Sequence, residues 1–73
     1  METTTNKYGE RVTRWFSHKH PNNPDYMQGV FWTVWEKPDG RTLVAFNLGA
    51  GGKYYFIYNI DKETAIKLYT DTI

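Results

Sequence analysis

The chain has 73 residues, a formal net charge of +1 and no cysteine. This length predicts one domain spanning residues 1–73, the lack of thiols excludes disulfides and thiolate metal sites, and the small charge argues against a nucleic-acid-binding domain of the strongly basic kind. The sequence has no apolar run long enough to span a bilayer and no apolar signal-peptide region near its start, so we expect a cytoplasmic protein with no membrane contact.

The N-terminal part of the chain leaves two alternatives for its main element. Residues 1–6 are polar and threonine-rich, which predicts a disordered tail. Over residues 10–18, valine, threonine and aromatic side chains favour a strand, although apolar spacing across residues 8–16 also fits a short helix. This segment contains no alanine or leucine, the residues that most favour a helix, so we predict the strand. Residues 21–25 are rich in proline and asparagine and are expected to form an irregular loop.

Three further segments are predicted to be strands of an antiparallel meander. Residues 29–36 are β-branched and aromatic, residues 41–48 form the return strand, and residues 53–60 form the next strand. The sequence Lys-Pro-Asp-Gly at 37–40 is a turn signal, because proline presets its own φ and glycine tolerates a positive φ. The glycine-rich residues 49–52 are expected to be a flexible loop.

The end of the chain has the pattern of an amphipathic helix over residues 61–72. Asp61 stands where an N-cap belongs, with its carboxylate ready to accept from the first free N–H groups of the helix. Apolar side chains then recur at helical spacing and give one stripe, made of Ala65, Ile66, Tyr69 and Ile73. The predicted fold is therefore α+β, a small antiparallel sheet of three to four strands with this helix on one face.

The segment Lys53–Ile60 is apolar at both odd and even positions, although side chains in a strand alternate between two faces. One helix covers one face, and the even positions of the three strands are the more apolar set. We therefore expect Trp32, Phe46 and Phe56 to form the core beneath the helix, and the odd positions to form an uncovered face. This assignment assumes that no bulge changes the alternation along the sheet.

The uncovered odd face is the predicted functional surface. Aromatic and arginine side chains dominate interface energetics, so the predicted partner-binding residues are Phe31, Trp35, Arg41 and Tyr55. Candidate basic contacts are Arg11, Arg14 and Lys53. The favoured function is a small non-enzymatic protein-binding module with a protein partner. In size and style the chain resembles the compact inhibitors and adaptors that phages and mobile elements encode, a likeness of class that rests on no residue motif.

Two other functions remain open for the same face. Single-stranded nucleic acid could stack on its aromatic rings, or a second copy of the chain could cover it as a homodimer.

The sequence contains few residues that could form a catalytic or metal-binding site. His18 and His20 are spaced to point the same way on a strand, but a metal site needs further ligands, and Asp25, the nearest carboxylate, lies across a loop. Ser17 is the one serine of the chain, and its neighbour His18 would face the opposite side of a strand. We therefore expect no catalytic residues, no metal and no cofactor.

Overall fold

The computed structural model describes residues 1–49 and 52–71. Its elements are β1 (Glu2–Thr5), β2 (Arg11–Ser17), β3 (Val30–Glu36), β4 (Thr42–Asn47), β5 (Tyr55–Ile57) and α1 (Lys62–Tyr69). The strands form one antiparallel sheet in chain order, β1-β2-β3-β4-β5. The predicted α+β class is confirmed, with five strands in place of three to four. Parts of two predictions lie outside the described residues: positions 50 and 51 of the predicted glycine-rich loop, and position 72 of the predicted helix together with Ile73 of its predicted apolar stripe.

The N-terminal residues differ from the prediction of a disordered tail over residues 1–6. Residues Glu2–Thr5 form β1 and pair with β2, which is itself the strand favoured over the alternative helix. Threonine is β-branched and suits an edge strand, where backbone pairing needs no side-chain burial. The Thr3 and Thr13 hydroxyls lie 3.1 Å apart across the pair. The connecting turn is held by Asn6, whose side-chain oxygen accepts two backbone N–H groups at 3.0 Å.

A cross-strand row of aromatic side chains runs from the core to the margin of the sheet: three of its members are buried, and Tyr55 at its end is 41% exposed. Trp15, Trp32, Phe46 and Tyr55 are direct neighbours on β2, β3, β4 and β5. Successive ring centroids are 6.0, 5.2 and 5.2 Å apart. Such pairs of aromatic rings add to sheet stability beyond the area that they bury. The row includes Trp32, the largest fully buried side chain among the described residues.

Helix α1 packs across this row. The Asp61 carboxylate accepts the Thr64 N–H at 2.8 Å. Hydrogen bonding from the Thr64 side chain, and then from this backbone N–H, lowers the pKa of Asp61. Ala65 is fully buried, and the Tyr69 ring stacks on Trp32 with centroids 4.2 Å apart. The Trp15 indole N–H donates to the Tyr69 carbonyl at 3.0 Å. The predicted N-cap and apolar stripe therefore place the helix, with Ile73 of that stripe outside the described residues.

The alternation of faces does not continue from β4 into β5, which corrects the predicted core. Phe46 pairs with Tyr55, and Ala45 pairs with Phe56, so odd positions of β5 join even positions of β4. An odd number of residues separates paired positions across the β3–β4 turn, whereas an even number separates Phe46 from Tyr55. When an even number of residues lies between two paired positions, even-numbered residues of one strand share a face with odd-numbered residues of the next. Phe56 therefore lies on the face opposite the helix, and Tyr55 lies on the helix side.

Candidate functional site

The sheet face opposite α1 carries most of the exposed aromatic surface, and we call it the open face. Cross-strand register and ring contacts define its members. Its apolar residues are Val12, Phe16, Phe31, Trp35, Leu43, Ala45, Tyr54, Phe56 and Tyr58; its polar residues are Glu2, Thr4, Arg14, Thr33 and Asn47. No helix of the described chain packs on this face, since α1 lies on the other side of the sheet.

One aromatic cluster of the open face is built by β2 and β3. Phe16 and Phe31 are cross-strand partners whose rings meet edge to face, with centroids 5.0 Å apart. Each side chain is nearly half exposed. The Phe16 ring lies against Gly29, where a Cβ atom would overlap it, and Gly29 has a φ of +86°. Position 29 therefore requires glycine for two reasons: the backbone has a positive φ, and a Cβ atom would overlap the Phe16 ring.

The second cluster joins β3 to β5. The Trp35 ring lies 5.3 Å from the Tyr54 ring and 6.1 Å from the Phe56 ring, measured between centroids. Tyr58 stacks on Phe56 at 6.5 Å and is 74% exposed. Ala45, the β4 neighbour of Phe56, is fully buried although it lies on the open face. Its small side chain leaves room for the larger rings around it.

A groove separates the two clusters. It is a concavity of about 390 Å³, bounded by Phe16 and Phe31 on one side and Tyr54 on the other. Polar groups line it as well, namely Glu2, Arg14, Thr33 and Asn47. Glu2 and Arg14 are directly opposed on β1 and β2, so the groove carries no net formal charge. The site thus combines apolar walls with a few hydrogen-bonding groups, as binding pockets commonly do.

The four predicted partner-binding residues are divided by the structure. Phe31 and Trp35 lie on the open face, in different clusters. Tyr55 lies on the helix side, with the Lys53 ammonium 5.4 Å from its ring centroid, because the alternation changes before β5. Arg41 is held in the β3–β4 turn by Asp39, with a distance of 2.7 Å between its Nε and the carboxylate.

Sequence reasoning missed other members of the open face. Phe16 follows from the strand assignment of β2 once that strand is aligned with β3, so its signal was present in the sequence. Tyr54, Phe56 and Tyr58 were assigned to the opposite face, and only the β4–β5 register could have placed them.

The three candidate basic contacts are also dispersed. Arg14 lies on the open face, opposite Thr33. Arg11 lies opposite Glu36 on the helix side of the sheet, as its position in β2 requires. Lys53 reaches towards the helix side, above the ring of Tyr55. The open face therefore contains one of the three candidate cations.

The histidines take part in separate local contacts. Asp71 accepts the backbone N–H of His18 at 2.8 Å, contacts its Nδ1 at 3.0 Å, and accepts the Ser17 hydroxyl at 3.3 Å. The backbone hydrogen bond and then the side-chain contact with His18 lower the pKa of Asp71. The serine and the imidazole thus both reach Asp71 and do not form a nucleophile–base pair. His20 packs between Tyr26 and Phe46.

Within residues 1–49 and 52–71, the histidine, aspartate and glutamate side chains form no group of three or more with metal-binding geometry. The same part of the chain contains no helix long and apolar enough to cross a membrane. No protein-family model matches the sequence, and neither a curated protein nor a solved structure gives a significant match.

Proposed function

We propose that this protein is a non-enzymatic protein-binding module whose open face docks on an uncharged, apolar surface of a larger protein. The observation that carries this proposal is the exposure of five aromatic side chains on one face of a five-stranded sheet. They are Phe16, Phe31, Tyr54, Phe56 and Tyr58, each between 39% and 74% exposed. Contiguous apolar patches of this kind usually mark interaction sites, and aromatic anchors supply much of the binding energy at interfaces.

The charges on this face favour a protein over a nucleic acid. A single strand of DNA or RNA needs several cations along its phosphates. On the open face Arg14 is opposed by Glu2, and at its margin the Lys37 ammonium lies 2.7 Å from the Glu10 carboxylate. The centre of the face is therefore electrostatically neutral. A neutral aromatic surface is complementary to an apolar protein surface with few charges at its centre.

The groove suggests how a partner would be anchored. Interface hot spots are typically large side chains that fill a desolvated pocket. The groove between Phe31 and Tyr54 has the size for one such side chain, and Thr33 and Asn47 line it with groups that can hydrogen-bond. Phe16 and Phe31 are carried on paired strands and Tyr54 directly precedes β5, so little backbone freedom is lost when a partner binds.

A module of this kind acts by occupying a surface of its partner, as the compact inhibitors and adaptors of phages and mobile elements do. It needs no chemistry of its own, which agrees with the sequence-based expectation of no catalytic residues. Its effect on the partner depends on which surface it covers.

Site-specific photo-crosslinking tests the proposal. The photoreactive residue p-benzoylphenylalanine replaces Phe31 in one variant and Leu68 in another, expressed in the cells that make the protein. The two positions are equally exposed, at 47% and 49%, but Leu68 lies on α1. We expect a discrete protein adduct from position 31 alone. The same adduct pattern from both positions, or none from position 31, would contradict the proposal.

A nuclease arm separates the two classes of partner. If the position-31 adduct contains nucleic acid and disappears after nuclease treatment, the open face binds single strands and the protein-binding assignment is wrong. An Arg14→Gln variant sharpens this distinction. It should weaken a nucleic-acid complex in a salt-dependent way and leave an apolar protein contact largely intact.

A further inference from the structure

The outer margin of β5, a strand of three residues, lacks the charged and proline side chains that commonly protect an edge strand. β5 has β4 as its one ladder neighbour in the described sheet, so its outer backbone groups have no strand to pair with. Natural edges are commonly blocked by lysine, proline or inward-pointing charges. Residues 54–60 contain no charged residue and no proline. By contrast, β1 at the opposite margin has the polar sequence Glu-Thr-Thr-Thr.

We propose that β5 pairs with β5 of a second copy of this chain, antiparallel and about a two-fold axis that passes through Phe56. An axis perpendicular to the sheet keeps the two open faces on the same side. Phe56 then meets Phe56 of the second copy, and Tyr54 meets Tyr58 of the second copy, all on the open face. Tyr55 meets Ile57 of the second copy on the helix side.

A second copy fits this edge better than a charged strand would. In the proposed register the flanking Lys53 lies opposite Asn59 of the second copy, so like charges do not face each other. Every pair between positions 54 and 58 joins an aromatic ring with another ring or with isoleucine, and such cross-strand pairs stabilise antiparallel sheets. An isologous contact of this kind also closes on itself, which yields a dimer rather than a fibre.

The backbone sets the length of the paired segment. Gly52 has a φ of +68° and Asn59 a φ of +62°, so the chain leaves extended conformation at both ends. Because the axis passes through Phe56, the paired stretch is limited to residues 54–58, and a contact this small belongs to the weak, reversible class. The dimer is therefore expected at micromolar to millimolar protein concentration. Its consequence is one continuous ten-stranded sheet that presents two grooves on the same side.

Sedimentation equilibrium over that concentration range tests the dimer. We expect a reversible monomer–dimer equilibrium in the unmodified protein. Phe56→Lys puts two lysines against each other on the axis, and Tyr58→Lys adds a charge at a position that is 74% exposed. Each should weaken dimerisation by about tenfold or more. Tyr8→Lys is the matched control, since Tyr8 is 68% exposed in the β1–β2 turn, and it should change nothing.

Two further results decide between this dimer and other arrangements. Phe31→Lys disrupts a dimer that associates face to face but leaves the edge contact intact, so loss of the dimer in Phe31→Lys would overturn the proposal. A monomer at every concentration would overturn it as well. In a mixture of labelled and unlabelled protein, NMR contacts between Tyr54 of one copy and Tyr58 of the other are expected. The crosslinking result at position 31 is independent of all these outcomes.

Discussion

The contact between Phe16 and Gly29 makes a quantitative prediction for the substitution Gly29→Ala. A Cβ atom at position 29 would overlap the Phe16 ring, whereas a Cβ atom at Gly40 would meet nothing within 4 Å. The two glycines have nearly the same φ, +86° and +92°. Gly40→Ala is therefore a matched control that contains the backbone strain without the steric clash.

The backbone strain should cost roughly 1–2 kcal/mol in either variant. Overpacking against an aromatic ring adds about 1–3 kcal/mol, so Gly29→Ala should destabilise the protein by about 2–5 kcal/mol in total. Urea melts followed by tryptophan fluorescence measure both values. If the free energies of unfolding of the two variants agree within about 0.5 kcal/mol, the packing of Phe16 on Gly29 does not contribute, and the reasoning fails.

Three other predictions concern the core, the two faces and pH. Trp15→Phe loses a hydrogen bond to the helix end, whereas Trp32→Phe removes a buried indole N–H that has no partner in the described chain. In urea melts, Trp15→Phe should therefore lower the free energy of unfolding by at least about 1 kcal/mol more than Trp32→Phe does. A larger loss in Trp32→Phe would contradict this. Phe46→Ala should cost about 3–5 kcal/mol and the half-exposed Phe56→Ala about 1 kcal/mol or less, and equal losses would mean that both faces are core. The backbone N–H of His18, and then its side chain, lower the pKa of Asp71. The stabilisation from this carboxylate is therefore complete above the ordinary aspartate pKa of about 3.9 and is lost as the pH falls through the lower folded pKa. Asp71→Asn should flatten that part of the acid melting profile.

The strands and the helix could be predicted largely from composition. The β-branched and aromatic run of β3, the Lys-Pro-Asp-Gly turn and the N-cap at Asp61 each act within a few residues, so their signals are local. The signal of the apolar stripe on α1, which includes the buried Ala65, is local as well. Strand β1 was missed because its threonines stay exposed and its pairing with β2 depends on the backbone of a distant segment.

The composition of the site was harder to predict because it depends on register. Phe31 and Trp35 were placed on the open face by alternation within β3, which holds inside one strand. Tyr55 and Phe56 lie on the faces opposite to those predicted, because the connection before β5 changes the alternation. In a glycine-rich loop the local sequence does not fix how many residues bridge the two strands; that number is set by the pairing of the strands. A single-residue difference in that connection decides which ring lies on the helix side of the sheet and which lies on the open face.

The contacts that join Tyr69 and Asp71 to residues 15–18, here called the clasp, have a consequence for the order of folding. The sheet neighbours follow each other along the chain, so its hairpins form from short-range contacts and fold quickly. The hydrogen bond from Trp15 to Tyr69 and the contacts of Ser17 and His18 with Asp71 instead join residues more than fifty positions apart. We therefore expect the clasp to form after the transition state. Changes at Tyr69 should then accelerate unfolding and leave the folding rate nearly constant.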